Sequence, residues 1–161
     1  MALKFHNTLS GKLEEFTPIH PPKVGVYVCG VTVYDRSHIG HARALVTFDI
    51  LFRYLGFRGY DVSLVRNFTD VDDKIIARAQ QAGISTDELV AVNIRAFNED
   101  VAALGCLPPT IEPRATTHID DMIALIRELV DKGLAYPADG DVYFAVDRFD
   151  GYGKLSKRRL D

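Results

Sequence analysis

The stretch from Val24 to Leu55 constrains this chain more than any other, because it joins a short apolar strand to a helix through a turn that carries two histidines. The run Val-Gly-Val-Tyr-Val-Cys-Gly, Val24 to Gly30, is β-branched and suits a strand buried on both faces of a parallel sheet. A polar connection delivers His38, Ile39, Gly40 and His41. Leu45, Phe48, Leu51, Phe52 and Leu55 then recur at helical spacing, and Gly56 closes the helix. A strand feeding a helix N-terminus aims free N–H groups and the positive end of the helix dipole at one point, where an anion is stabilised. His38 and His41 are placed to donate to phosphate oxygens and so to stabilise charge developing on phosphorus, while Gly40 lets a flat base approach the backbone. An ordinary polar helix start would also use histidines, so their neighbours decide.

Tyr60 to Val65 alternates as a second strand after the Gly56-Phe57-Arg58-Gly59 loop. Strand, helix, strand at this spacing forces parallel pairing with a right-handed crossover, which makes the fold class α/β, a parallel sheet of nucleotide-binding type. Ligands in such sheets sit at the carboxyl ends of the strands. Arg66 to Asp70 leaves the second strand at that rim, beside Cys29 and Gly30. Asp70, Asp72 and Asp73 read either as a metal-binding carboxylate cluster or as the cap of a helix over 73–81 that Gly83 stops, and capping is the simpler account. Ser85-Thr86-Asp87-Glu88 opens a long helix that Gly105 ends, and a further amphipathic helix spans 119–132. A hairpin follows around Ala138-Asp139-Gly140, and another is expected near the N-terminus, turning at Ser10-Gly11-Lys12.

Composition narrows the function classes. A net charge of −3 gives no overall pull toward nucleic acid, so RNA contact needs a local patch or other parts of a longer protein. The two cysteines form no Cys-x-x-Cys and fit a reducing compartment. No stretch approaches the roughly 18 uninterrupted apolar residues of a membrane span, and residues 1–10 lack signal-peptide features. The expectation is a cytoplasmic protein with no membrane partner.

Tyr27-Val28-Cys29-Gly30, Thr32-Val33-Tyr34-Asp35 and His38-Ile39-Gly40-His41-Ala42-Arg43 together resemble the nucleotide-binding signature of class I aminoacyl-tRNA synthetases, in the Cys-Gly version of the cysteinyl-tRNA synthetases. The resemblance continues through Arg66-Asn67-Phe68-Thr69-Asp70-Val71-Asp72-Asp73-Lys74-Ile75-Ile76 and Glu112-Pro113-Arg114-Ala115-Thr116-Thr117-His118-Ile119, in order along nearly the whole chain. It implies the first half of a Rossmann-like nucleotide-binding domain over 1–116 and the start of a connective insertion over 117–161. The second half and an anticodon-binding domain would be absent. The family's Lys-Met-Ser-Lys-Ser loop belongs to that second half; Lys154-Leu155-Ser156-Lys157-Arg158 imitates it but reads as a solvated basic segment. The chain is therefore expected to be the N-terminal portion of an enzyme, inactive alone.

The activity implied is ATP-dependent activation of L-cysteine to cysteinyl-adenylate, followed by transfer to cysteine tRNA, in an enzyme expected to be monomeric at full length. By the same resemblance His38 and His41 are the catalytic residues, and His38, Ile39, Gly40 and His41 hold ATP with its Mg²⁺. Gly30, Thr32 and Thr69 contact the amino acid. Cys29 is one of four zinc ligands, the others (a Cys, a His and a Glu) being expected beyond Asp161. Zinc suits the task because a soft metal binds the substrate thiolate far better than a serine hydroxyl. Two rival readings are a cysteine:amino-sugar ligase of mycothiol synthesis, whose pattern tends to Thr-Pro-Tyr-Asp and His-Leu-Gly-His, and a non-catalytic nucleotide-binding or interaction module.

Overall fold

The computed structural model describes residues 2–158. Its elements run β1 (Lys4–Asn7), β2 (Lys12–Glu15), β3 (Lys23–Thr32), α1 (Ile39–Phe57), β4 (Asp61–Thr69), α2 (Asp73–Ala82), α3 (Thr86–Ala103), α4 (Ile119–Asp131), β5 (Ala135–Ala138) and β6 (Asp141–Phe144), with 3₁₀ turns at Ala115–His118 and Val146–Arg148. The chain divides into two units, Pro18–His118 and a second made of Met1–Thr17 with Ile119–Asp161. The sequence expectation set a boundary between 116 and 117 and counted the N-terminal hairpin with the sheet; here that hairpin is grouped with the C-terminal segment.

In the unit Pro18–His118, β3 and β4 pair in parallel from Lys23↔Asp61 to Thr32↔Thr69, with α1 as the crossover. The segment after α3 runs along the other edge of β4. Thr110 and Ile111 N–H donate to the Leu64 carbonyl, Arg66 N–H donates to Ile111, and Phe68 N–H donates to Pro113. These bonds explain why β4 outlasts the alternation seen in sequence: 66–69 are strand residues, not an exit loop, because a neighbour holds their N–H groups. Leu64, Arg66 and Phe68 alternate onto one buried face, and Asp70 just past the strand is buried too. The expectation that Val24–Gly30 would be buried on both faces fails. Only Val24 of that run is fully buried, and Tyr27 is 65% exposed. Among the described residues β3 has a strand neighbour on one edge only, so its flanks are incompletely covered.

The core forms where β4 meets α2 and α3. Phe68 packs edge-to-face on Phe97, with ring centroids 5.3 Å apart, among Ile75, Ala79, Ile94 and Val101. The helix ends follow local chemistry: the Asp72 carboxylate accepts from Lys74 N–H, Gly83 takes the left-handed conformation (φ 67°) that stops α2, and Ser85 Oγ accepts from Glu88 N–H. The acidic trio therefore has separate duties. Asp72 caps, Asp73 sits in the first turn of α2, and buried Asp70 accepts from Thr116 N–H at 2.9 Å and from its hydroxyl at 2.6 Å. Buried Asn93 of α3 donates to the Val33 carbonyl at 2.9 Å, closing the chain just past β3.

The second unit holds the β1–β2 hairpin, α4 and the β5–β6 hairpin. Asp139 (φ 52°) and Gly140 (φ 91°) form the tight turn that the Asp-Gly pair announces. The basic segment near the C-terminus is a run of exposed turns in which the Lys157 ammonium donates to the Leu9 carbonyl. No described helix is long and apolar enough to cross a membrane. Thr116→Val removes the hydroxyl donor from the buried Asp70 carboxylate and is expected to cost about 1–3 kcal/mol, read as a lower urea midpoint at unchanged slope.

Candidate active site

The start of α1 is built by its own histidines. His38 is the N-cap, in extended conformation, and its Nδ1 accepts from Gly40 N–H at 3.0 Å; Nδ1 of His41 accepts in turn from His38 N–H at 3.2 Å. An imidazole nitrogen that accepts cannot also carry a proton, so each neutral ring bears its proton on Nε2. The rings stack, with centroids 3.9 Å apart and planes inclined at 26°. Burial, and secondly the neighbouring His38 ring, hold the His41 pKa below its ordinary value of 6.5. The result is a pair of neutral N–H donors at a helix N-terminus.

Gly40 is required by this cap. A Cβ there would lie 2.8 Å from Cε1 and 2.9 Å from Nδ1 of His38, so any side chain displaces the capping ring. This reason stands beside the one offered from sequence, approach of a flat base. Ile39 is 85% exposed and turns away from the protein.

The second part of the site is a bulge. Val28 pairs with Arg66 and Val31 with Phe68, so Cys29 and Gly30 together stand opposite Asn67. Gly30 N–H donates to Asn67 Oδ1 at 2.8 Å, and a Cβ on Gly30 would fall 1.5 Å from the Asn67 carbonyl oxygen. Position 30 admits no other residue without backbone movement. The Cys29 thiol is exposed on the bulge, with the Gly30 carbonyl 3.8 Å away. Thr32 and Thr69 are register partners across the ladder.

A cleft of about 370 Å³ brings Cys29, Gly30, Thr32, His38 and His41 onto one lining. Ile39, Gly40 and Thr69 are not among its lining residues. Residues to which the sequence reading assigns no part in the site, Cys106 being read there as a small apolar filler, also line it. Arg66 is buried, bonds Glu112 through Nη2 at 2.8 Å and lies over the Phe97 ring at 5.0 Å. Cys106 has its thiol pushed above the ordinary value by burial and then by Asp49. α1 holds the loop that carries Cys106 in place: Asp49 accepts from Leu107 N–H at 2.7 Å and Arg53 donates to the Gly105 carbonyl at 2.8 Å. Asn67 stands in sequence within the Arg66-to-Ile76 motif at the strand rim but is given no role of its own there. Among the described residues no group of three His, Cys, Asp or Glu stands ready to hold a metal, whereas zinc takes four donors. Cys29 offers one.

Residues 15–161 match the family model described as tRNA synthetases class I (C) catalytic domain. The chain belongs to that class I synthetase family. This synthetase chain is 58% identical over 161 residues to a cysteine–tRNA ligase of Syntrophotalea carbinolica, covering 100% of the chain and 34% of that relative. It is 60% identical over 160 residues to the cysteine–tRNA ligase of Hahella chejuensis, covering 99% and 34%. The chain thus spans about a third of the length of these curated relatives. Among solved structures, the LeuRS of Agrobacterium radiobacter K84 agnB2, in a ternary complex with tRNA and LeuAMS, aligns with a TM-score of 0.63 at 24% identity over 74% of this chain and 16% of that one. Mycobacterium tuberculosis methionyl-tRNA synthetase, in complex with methionyl-adenylate, aligns with a TM-score of 0.59 at 25% identity over 70% of this chain and 23% of that one. These likenesses bear out the Rossmann-like α/β fold expected from sequence.

The depressed His41 pKa means that the unfolded chain takes up the proton first as pH falls. The stability carried by the α1 cap is then complete above about pH 6.5 and is lost as pH falls below it; melting temperatures of wild type and His41→Gln should converge in acid. Metal analysis of this chain purified alone should find well under one equivalent of zinc, and tight stoichiometric zinc would contradict the single-donor reading.

Proposed function

We propose that this chain supplies the first half of the ATP-binding domain of a cysteine–tRNA ligase. In the first step a carboxylate oxygen of L-cysteine attacks the α-phosphorus of ATP, forming cysteinyl-adenylate, and pyrophosphate leaves with Mg²⁺. In the second a ribose hydroxyl at the 3′ end of cysteine tRNA attacks the acyl carbon and AMP leaves. The carrying observation is the pair of stacked, neutral imidazoles whose Nδ1 atoms are engaged by backbone N–H groups, leaving Nε2–H to donate at the cleft that Cys29, Gly30 and Thr32 also line.

On this reading His38 and His41 hold the α-phosphate region and stabilise the negative charge that builds as the new P–O bond forms. Because their protons sit on Nε2 beforehand, the donors need no reorganisation at the moment of reaction. Ile39 and Gly40 lie beside the adenine, and the α1 N-terminus adds its dipole. Gly30, Thr32 and Thr69 position the amino acid. The Gly30 N–H is already engaged by Asn67, so Gly30 serves by lacking a side chain, not as a donor. Binding both reactants in line supplies much of the rate. Cys29 is the residue of this chain available to zinc, as one thiolate of the four donors a tetrahedral site needs; these residues do not complete such a site, and no step above depends on it. ATP and tRNA as substrates agree with a cytoplasmic location.

Cysteine-dependent ATP–pyrophosphate exchange tests the reading in a protein of the relatives' length that carries this chain. His38→Ala or His41→Ala should lower kcat about 10²- to 10³-fold with a small effect on the cysteine KM. Cysteine-dependent exchange without charging of cysteine tRNA would point instead to a ligase with another acceptor.

A further inference from the structure

We propose that Asn67 is a positioning residue that sets the amino acid end of the site by locking the Cys29–Gly30 bulge. The inference rests on the functional reading above but concerns a residue outside the lining of the cleft. A bulge leaves its extra residue without a ladder partner, so the part-buried Gly30 N–H would be stranded. The side-chain oxygen of Asn67 takes it at 2.8 Å, and the same oxygen accepts the Tyr27 hydroxyl at 3.0 Å, which holds the amide in orientation. On the other side of the amide, Nδ2 donates to Thr69 Oγ1 at 3.4 Å. One side chain therefore ties together both strands where Cys29, Gly30 and Thr69 stand. The backbone of Asn67 adds the steric half of the lock, since its carbonyl oxygen excludes any Cβ at position 30.

The consequence is directional. Side chains alternate faces along a strand, so closing the bulge by a one-residue slip would turn residues on one side of it to the opposite face relative to those on the other. Cys29 and Thr32 would then no longer share the present geometry with the α1 histidines. Asn67 guards the relation between the amino acid contacts and the phosphate contacts, and its loss should be felt by cysteine before ATP.

The test is steady-state pyrophosphate exchange in the full-length enzyme, with KM measured separately for cysteine and for ATP. Asn67→Ala should raise the cysteine KM about tenfold, the worth of leaving the part-buried Gly30 N–H without its partner, and leave the ATP KM within about twofold. Asn67→Asp keeps an acceptor in the same place and should return the cysteine KM to within about threefold of wild type. An unchanged cysteine KM in Asn67→Ala, an equal rise in both KM values, or an Asp variant no better than the Ala variant would overturn the proposal. Should Asn67→Ala not fold, Tyr27→Phe removes only the hydroxyl that holds the Asn67 amide, on an exposed ring, and should raise the cysteine KM about twofold with the ATP KM unchanged; an unaltered cysteine KM there overturns it equally. A wild-type enzyme without cysteine-dependent exchange would remove the functional reading itself, and this inference with it.

Discussion

Two reciprocal hydrogen bonds at the head of α1, Gly40 N–H to His38 and His38 N–H to His41, decide most of what this molecule can do. They end the polar connection, begin the helix, fix both imidazole tautomers and stack the rings. An Asp cap would serve the helix as well, but a carboxylate only accepts and would leave no outward donor. The chain has used residues with two functional nitrogens, so that one nitrogen meets the demands of folding and the other stays free for chemistry. Gly40 belongs to the same device, since a side chain at that position would evict the cap.

The sheet below is ordered by β4. With a strand on one edge and residues 110–114 on the other, it carries the buried Leu64, Arg66 and Phe68 face and the packing of Phe68 on Phe97. Two of the polar groups buried along it are matched, Arg66 Nη2 to Glu112 and Asp70 to Thr116, while Arg66 Nε is buried without a hydrogen-bond partner. Such pairs add little net stability, but removing one partner leaves a buried charge uncompensated, so they favour a single register over alternatives. The rim of the site inherits that precision.

Elements governed by local chemistry were legible from sequence. Asp72, Gly83 and Ser85 announce their helix ends, Asp139-Gly140 announces its hairpin, and the strand–helix–strand order announces parallel pairing. The cluster of Cys29, Gly30, Thr32, His38 and His41 on one cleft was foreseeable because all lie on one strand–turn–helix unit. What escaped was set by partners distant in sequence. The extension of β4 to Thr69 depends on the segment around Ile111, the duty of Asp70 depends on Thr116, and the bulge depends on the count of residues between register pairs, which no hydrophobic alternation encodes. The burial of β3 was overestimated because apolar content tells what a strand would prefer to cover, not what covers it.

One side of β3 displays a row of amide donors and carbonyl acceptors that no other described strand engages. Backbone of this kind is indifferent to sequence, so a second molecule's extended segment satisfies it as readily as any intended mate. Handled at high concentration by itself, this polypeptide offers that margin for intermolecular pairing, and what would blunt it is a charge or a proline placed along the margin itself rather than net charge elsewhere.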